Sequence, residues 1–174
     1  IKGLRIRVPS QMGAALVEAA GGIPVAMPLA EVYENLQRGV LDGAVTPWDV
    51  MGTLKLGEVL KNHTDNPLMC GQLWFAFNQD KYNSYPDDVK AAIDAMSGPA
   101  FAESLKSAYA GFDEIGQSAS AAAGGVTVSL SAEDIAAWKA AVQPAVEKYL
   151  ADTEAKGVTT VRAVYETLRA AGAK

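Results

Sequence analysis

Short apolar runs and amphipathic runs alternate through the first sixty residues, and this alternation constrains the fold more than any other feature of the chain. Residues 4–8 (Leu-Arg-Ile-Arg-Val) alternate apolar and basic, the period of a strand with one buried face. Pro9 and Ser10 end that run. Residues 11–20 are rich in Ala and Leu and read as a helix, stopped by Gly21-Gly22. Residues 23–27 form a short apolar strand despite Pro24. Residues 30–38 are helical, with Val32, Leu36 and Val40 on one face and Gly39 near the end. A strand over 41–45, a loop at 46–48 and a helix over 49–60 complete the pattern. The order β-α-β-α-β-α predicts a parallel sheet with right-handed crossovers. Such sheets bind ligands beyond the carboxyl ends of their strands. Residues 9–10, 27–29 and 46–48 fall at three such ends.

The remainder changes character. Residues 62–67 are polar and turn-rich. Residues 71–78, with Leu73-Trp74-Phe75-Ala76-Phe77, read as a buried strand, its aromatics as core. Pro86 opens a long helical region reaching about residue 122, with interruptions expected at 97–99 and at Gly111; Pro99 should kink or break it. Gly124-Gly125 is a turn and residues 126–130 a strand. Ser131 and Asp134 have the spacing of a capping box. The helix it starts runs toward Ala155, bent at Pro144, and a last helix covers 160–171. No internal repeat is present.

With net charge −5 and pI about 4.9 the chain lacks the cationic surface of a nucleic-acid binder. No apolar run approaches the roughly 20 residues of a membrane span. The chain opens at Ile1 almost directly into a strand, so residues preceding it are expected. The single cysteine, Cys70, forbids an intrachain disulfide.

Catalytic signals are poor, and an enzyme is not expected. His63 is the only histidine, so a His-based metal site would need carboxylates gathered from elsewhere; neither a metal nor a cofactor is expected. A Cys70–His63 nucleophilic pair lacks an evident third group to orient it. No Walker sequence and no GxGxxG is present, and Gly21-Gly22 follows a helix instead of opening one. Trp48, after Pro47 at a strand end, reads either as a ligand wall or as packing against the next helix. Arg5 and Arg7 share one face of the first strand. Both suit a solvated surface, yet an arginine at a Pro-terminated strand end has a specific use, because its planar fork matches a carboxylate in bidentate fashion.

Three motifs in their order, residues 2–9 (Lys-Gly-Leu-Arg-Ile-Arg-Val-Pro), 22–28 (Gly-Ile-Pro-Val-Ala-Met-Pro) and 31–43 (Glu-Val-Tyr-Glu-Asn-Leu-Gln-Arg-Gly-Val-Leu-Asp-Gly), resemble the substrate-binding subunits of TRAP (tripartite ATP-independent periplasmic) transporters, the DctP-like proteins. Residues 58–64, the run to Asn78 and Tyr85-Pro86 also fit, so the likeness covers nearly the whole chain, corresponding to the C-terminal half or slightly more of the family protein. The resemblance implies an α/β fold: a periplasmic solute-binding-protein lobe with a mostly parallel sheet flanked by helices, plus a long kinked helix crossing toward the other lobe. It implies that 1–72 and 113–174 form the second lobe, while 73–112 add a strand and helix to the first.

The same resemblance implies a periplasmic receptor, with no catalytic role, that binds an organic acid and hands it to TRAP membrane permease subunits. It places the ligand carboxylate on Arg7, at the strand end marked by Pro9. Leu29, after Met27-Pro28, would line the site, and Gln72 would add a polar contact. Where the family often has Asn beside the proline, this chain has Thr46, and Trp48 could replace part of that contact by stacking. A lobe on its own would expose apolar surface including Trp74 and Phe75, so self-association or pairing with an N-terminal half is expected. The alternative is a ligand-sensing or structural interaction module of the same fold, not coupled to uptake.

Overall fold

The structure, a computed structural model, describes residues 1–66, 69 and 75–172. The chain divides into two compact units, residues 1–46 with 127–174, and residues 47–126.

The first unit opens with strand β1 (Arg5–Val8), followed by helix α1 (Gln11–Ala19) and strand β2 (Ile23–Ala26). Ser10 ends the strand and starts the helix at once: its Oγ accepts the Gly13 N–H at 3.1 Å, satisfying one of the orphan donors of the first turn. Gly21 turns the chain back with φ +81°, a left-handed conformation that a side chain would resist. A 3-10 turn (Leu29–Glu31) leads into α2 (Val32–Gln37), and β3 (Gly43–Ala44) closes a three-stranded sheet of order β2-β1-β3, parallel throughout. The mixed α/β class and parallel sheet expected from the alternation are therefore present. The strand expected over 41–45 shrinks to two residues, although Val45 N–H still reaches Arg7 O at 2.8 Å. The β1→β2 and β2→β3 connections run across the sheet in opposite directions, so right-handedness puts α1 and α2 on opposite faces. Ile6 and Val8 form the core beneath α1 with Val17, flanked by Ala14 and Val45.

The second unit starts with α3 (Asp49–Thr53) and a separate 3-10 turn (Leu56–Glu58), where one helix over 49–60 was expected. The break is at Lys55, whose φ of 54° is left-handed; burial of Met51 and Leu56 on either side holds the chain there. Strand β4 (Asn62–Thr64) lies in the stretch read as polar turn. Its formation is tertiary, with the adjacent Lys61 O accepting the Val126 N–H at 2.7 Å. Residues 75–78 carry no regular structure, and Phe75 and Phe77 are 71% and 57% exposed. The expected buried strand and its core aromatics are thus not formed over their described part; Phe75 meets the edge of Phe101 at 5.0 Å. Trp74 and the rest of that expected strand lie outside the described residues.

Helices α4 (Gln79–Asn83), α5 (Asp87–Ala95) and α6 (Pro99–Ala122) follow. Pro99 sits in the first turn of α6, where its missing N–H costs no hydrogen bond, and Gly98 before it has φ +64°. Gly111, expected to interrupt, lies within a continuous helix. α3 rests on α6 at Gly116, where any Cβ would collide with the Trp48 carbonyl. Strand β5 (Val126–Val128) returns the chain to the first unit. There α7 (Ala132–Ala155) begins with the expected capping box of Ser131 and Asp134 and continues through Pro144. α8 (Val161–Gly172) ends the chain, with Arg162 bonded to Glu147 and Glu154 of α7 at 2.9 and 3.3 Å.

Candidate functional site at the strand ends

Alternation along β1 places Arg5 and Arg7 on the same face, and the structure gives them different fates. Arg5 is engaged through both its backbone and its side chain. Its backbone N–H and Nε donate to Asp42 Oδ2 at 2.8 and 2.9 Å, and its Nη2 donates to Asp42 Oδ1 and to Gly39 O, both at 2.8 Å. The hydrogen bonds from Arg5 hold the Asp42 carboxyl well below the usual carboxylate range, at about 2. This exposed pair fixes the approach to β3.

Arg7 is 7% exposed. Its Nε donates to Met27 O at 3.2 Å and its Nη1 to Val45 O at 3.3 Å. The guanidinium therefore spans the residues that follow β2 and β3, with two neutral carbonyls as acceptors. No carboxylate among the described residues pairs with it. A guanidinium carries five N–H donors, and carbonyl contacts of this length occupy a minority of them. Burial pushes its pKa below the usual arginine value, yet an arginine remains charged in proteins. A buried charge without a counter-charge is costly.

Around it, Pro9 is exposed at the end of β1, and Leu29 is half-buried in the turn before α2. Thr46 follows the Val45 carbonyl that Arg7 holds, and its Oγ1 is buried with no hydrogen-bond partner. An unpaired buried hydroxyl costs about 1–3 kcal/mol, which a ligand atom would relieve. A groove of about 480 Å³ opens at the ends of β1 and β2, lined by Val8, Pro9, Ser10, Gln11, Ala14, Ala26 and Met27. Of the expected ligand contacts, Arg7 and Thr46 meet through the backbone at Val45, and Arg7 and the groove meet at Met27. Leu29 does not line that groove. Gln72 lies outside the described residues. The contributions of Ala14 and Ala26 went unnoticed in the sequence, since small apolar residues carry no chemical signal until a groove forms over them.

Trp48, in the second unit, precedes α3 and is half-buried, with its ring tilted against His63 at 5.2 Å between centroids. Packing is thus part of its role. His63 Nε2 is 2.7 Å from the buried Ser120 Oγ. Burial pushes the imidazole below its usual pKa, opposed by a bond to the Leu60 backbone. With both sides of its ring occupied, His63 reads as a satisfied structural histidine. The Cys70 half of the conceivable nucleophilic pair lies outside the described residues. Among the described residues no group of three or more His, Cys, Asp or Glu could hold a metal ion, and no helix is long and apolar enough to cross a membrane.

Comparison with known proteins gives a consistent result. The family description "Bacterial extracellular solute-binding protein, family 7" (DctP) matches residues 1–153. The C4-dicarboxylate-binding periplasmic protein DctP of Rhodobacter capsulatus is 32% identical over 168 residues, covering 92% of this chain and 49% of that protein. The 2,3-diketo-L-gulonate-binding periplasmic protein YiaO of Escherichia coli K12 is 30% identical over 99 residues, 53% of this chain and 29% of that protein. Among solved structures, a TRAP solute-binding protein from an unidentified marine microbe, co-crystallised with 3-hydroxybenzoate, superimposes with TM-score 0.79 at 30% identity over 90% of this chain and 50% of that one. A TRAP solute-binding protein of Rhodoferax ferrireducens, with copurified benzoate, gives TM-score 0.80 at 27% identity over the same shares. These relatives are solute-binding proteins and not enzymes. The chain spans about half the length of the Rhodobacter capsulatus relative.

Proposed function

We infer that this chain, which belongs to the DctP family of bacterial extracellular solute-binding proteins, forms the carboxylate-holding wall of a periplasmic receptor that delivers an organic acid to a TRAP-type permease. The observation that carries the reading is Arg7: a buried guanidinium at the carboxyl end of the central strand, held by two carbonyls and paired with no carboxylate among the described residues. Bidentate arginine–carboxylate contacts give orientation as well as affinity. The unpartnered Thr46 hydroxyl offers a second polar point beside it. The solutes of the relatives, a C4-dicarboxylate, a diketogulonate, 3-hydroxybenzoate and benzoate, all carry a carboxylate. Pro9, Leu29, Trp48 and Gln72 complete the proposed contacts.

In this reading residues 1–72 and 113–174 belong to the second lobe of a two-lobed receptor, and residues 73–112 cross to the first. The exposed Phe75 and Phe77 on that segment support its packing against an apolar partner; an N-terminal half or a second copy would supply it. Native mass spectrometry of the protein purified from its own cells tests the function. The expected result is a bound organic acid released on unfolding. A bound neutral or cationic solute would overturn the reading.

A further inference from the structure

The cluster around His63 occupies a particular place in the chain. β4, which carries His63, is the last strand among the described residues before residue 73, and α6 brings the chain back as one unbroken helix from Pro99 to Ala122. Side chains tie the two together. His63 Nε2 meets the buried Ser120 Oγ at 2.7 Å, near the end of α6. Lys61 Nζ donates to Ala123 O at 2.7 Å and to Gly57 O at 2.9 Å. The turn after α6 closes over them: Gly125 N–H donates to Ser120 O at 2.9 Å, and a Cβ at Gly125 would stand 2.3 Å from Ser120 Oγ and 3.0 Å from His63 Nε2. The Trp48 ring covers the imidazole at 5.2 Å between centroids. The outgoing and returning segments are thus fastened to each other at one titratable ring.

The Leu60 backbone bond raises the imidazole's pKa, as a carbonyl accepting from its other nitrogen does. In the neutral ring Nε2 is therefore the acceptor of the Ser120 hydroxyl. A proton added at Nε2 turns that acceptor into a donor. Ser120 must then turn its own proton away, with the Gly125 backbone packed against it. Burial first, and then the charge of Lys61, keep the imidazole below its usual pKa. The carboxylates of the surrounding segments, Glu58 and Asp65 on either side of β4, Asp49 on α3 and Asp113 and Glu114 on α6, do not reverse that balance.

We propose that His63 is a proton-operated latch at the root of the hinge. Neutral, it holds β4 to the end of α6 and keeps the two crossings in step. Protonated, it loosens them, so that the lobes close less firmly over a solute in acid. An unbroken α6 carries a release at its Ser120 end back into the crossing segment. The inference rests on the lobe division proposed above, with residues 73–112 crossing to the first lobe, and not on the identity of the solute.

Two readouts on the full-length protein test this. Nitroxide labels at the exposed positions Glu18→Cys and Asp88→Cys, with Cys70→Ser, report the spread of distances between the lobes. Amide hydrogen exchange at Gly125 and Val126, corrected for its intrinsic pH dependence, reports the latch itself. From about pH 7.5 to about pH 5.5 protection there should fall severalfold, with about tenfold as the ceiling one unit below the ordinary histidine pKa near 6.5. The distance distribution should broaden over the same interval. His63→Gln, whose amide oxygen accepts from Ser120 but takes up no proton, should show neither change. Ser120→Ala, which removes the fastening and keeps the imidazole, should be broad at both pH values. A native distribution of equal width at both pH values would overturn the latch and leave His63 a local structural residue. Broadening that persists in His63→Gln would overturn it as well. Neither outcome touches the organic acid expected by native mass spectrometry; a bound neutral solute would overturn the receptor reading and leave the latch standing.

Discussion

The strand ends around Arg7 and the cluster around His63 are both half-sheltered collections of polar groups, one in each unit, and they are built on opposite principles. At His63 each group has found a partner: the imidazole meets Ser120 Oγ at 2.7 Å, its other side meets the Leu60 backbone, and the Trp48 ring covers it. At Arg7 the charge has only weak acceptors, and the neighbouring Thr46 hydroxyl has none. Satisfied polar clusters rigidify a fold, while incompletely satisfied ones store affinity for something else. The same contrast appears on one strand face. Arg5 is closed by Asp42; Arg7, two residues on, is left open.

If that contrast is right, substitutions in the two regions should fail differently. The largest effect is expected from Arg7→Ala, which should weaken acid binding by roughly ten- to a hundred-fold or more, the worth of a charge-assisted hydrogen bond. Calorimetry of the full-length protein measures it. Arg7→Met should raise the melting temperature at the same time, since it removes a buried uncompensated charge and keeps the volume; a fall in melting temperature would show that the two carbonyl contacts stabilise the fold. His63→Ala should do the reverse, costing about 1–3 kcal/mol of stability by stranding the buried Ser120 hydroxyl, as read by denaturant unfolding.

Acid pH sharpens the comparison further. Burial holds the His63 pKa below its usual value near 6.5, so the unfolded chain takes up the proton first as pH falls. The stability from keeping it neutral is complete above about pH 6.5 and is lost as pH falls from there toward the folded value. His63→Gln should flatten the unfolding profile in that window. The smallest effect belongs to Asp42. Its carboxyl, held at about 2 by Arg5, contributes stability above its ordinary value near 4 that disappears as pH falls toward 2. Asp42→Asn should remove that acid limb without altering acid binding at neutral pH, and a large loss of affinity would mean that Arg5 shares the ligand role.

How far the sequence disclosed this depends on the range of each interaction. β1, α1 and β2 were legible because alternation, the Ser10 cap and the glycine stop are all local. The same holds for the Ser131–Asp134 box. Arg7 at a Pro-terminated strand end was legible as a candidate, since residue type and position coincide. What separates it from Arg5 was not, because Asp42 lies 37 residues away and reaches Arg5 only once β3 is in place. The Ser120–His63 bond spans 57 residues and left no local mark. β4 was hidden for the same reason, as a polar run paired by a distant strand. The break at Lys55 required a left-handed residue that is not glycine, which propensity does not suggest.

A crystal structure of the full-length protein with its acid bound tests the central claim most directly. The account predicts the solute's carboxylate on the Arg7 guanidinium, with paired N···O distances of about 2.7–2.9 Å. A bound acid whose carboxylate lies elsewhere, with Arg7 still bonded only to the Met27 and Val45 carbonyls, would contradict it.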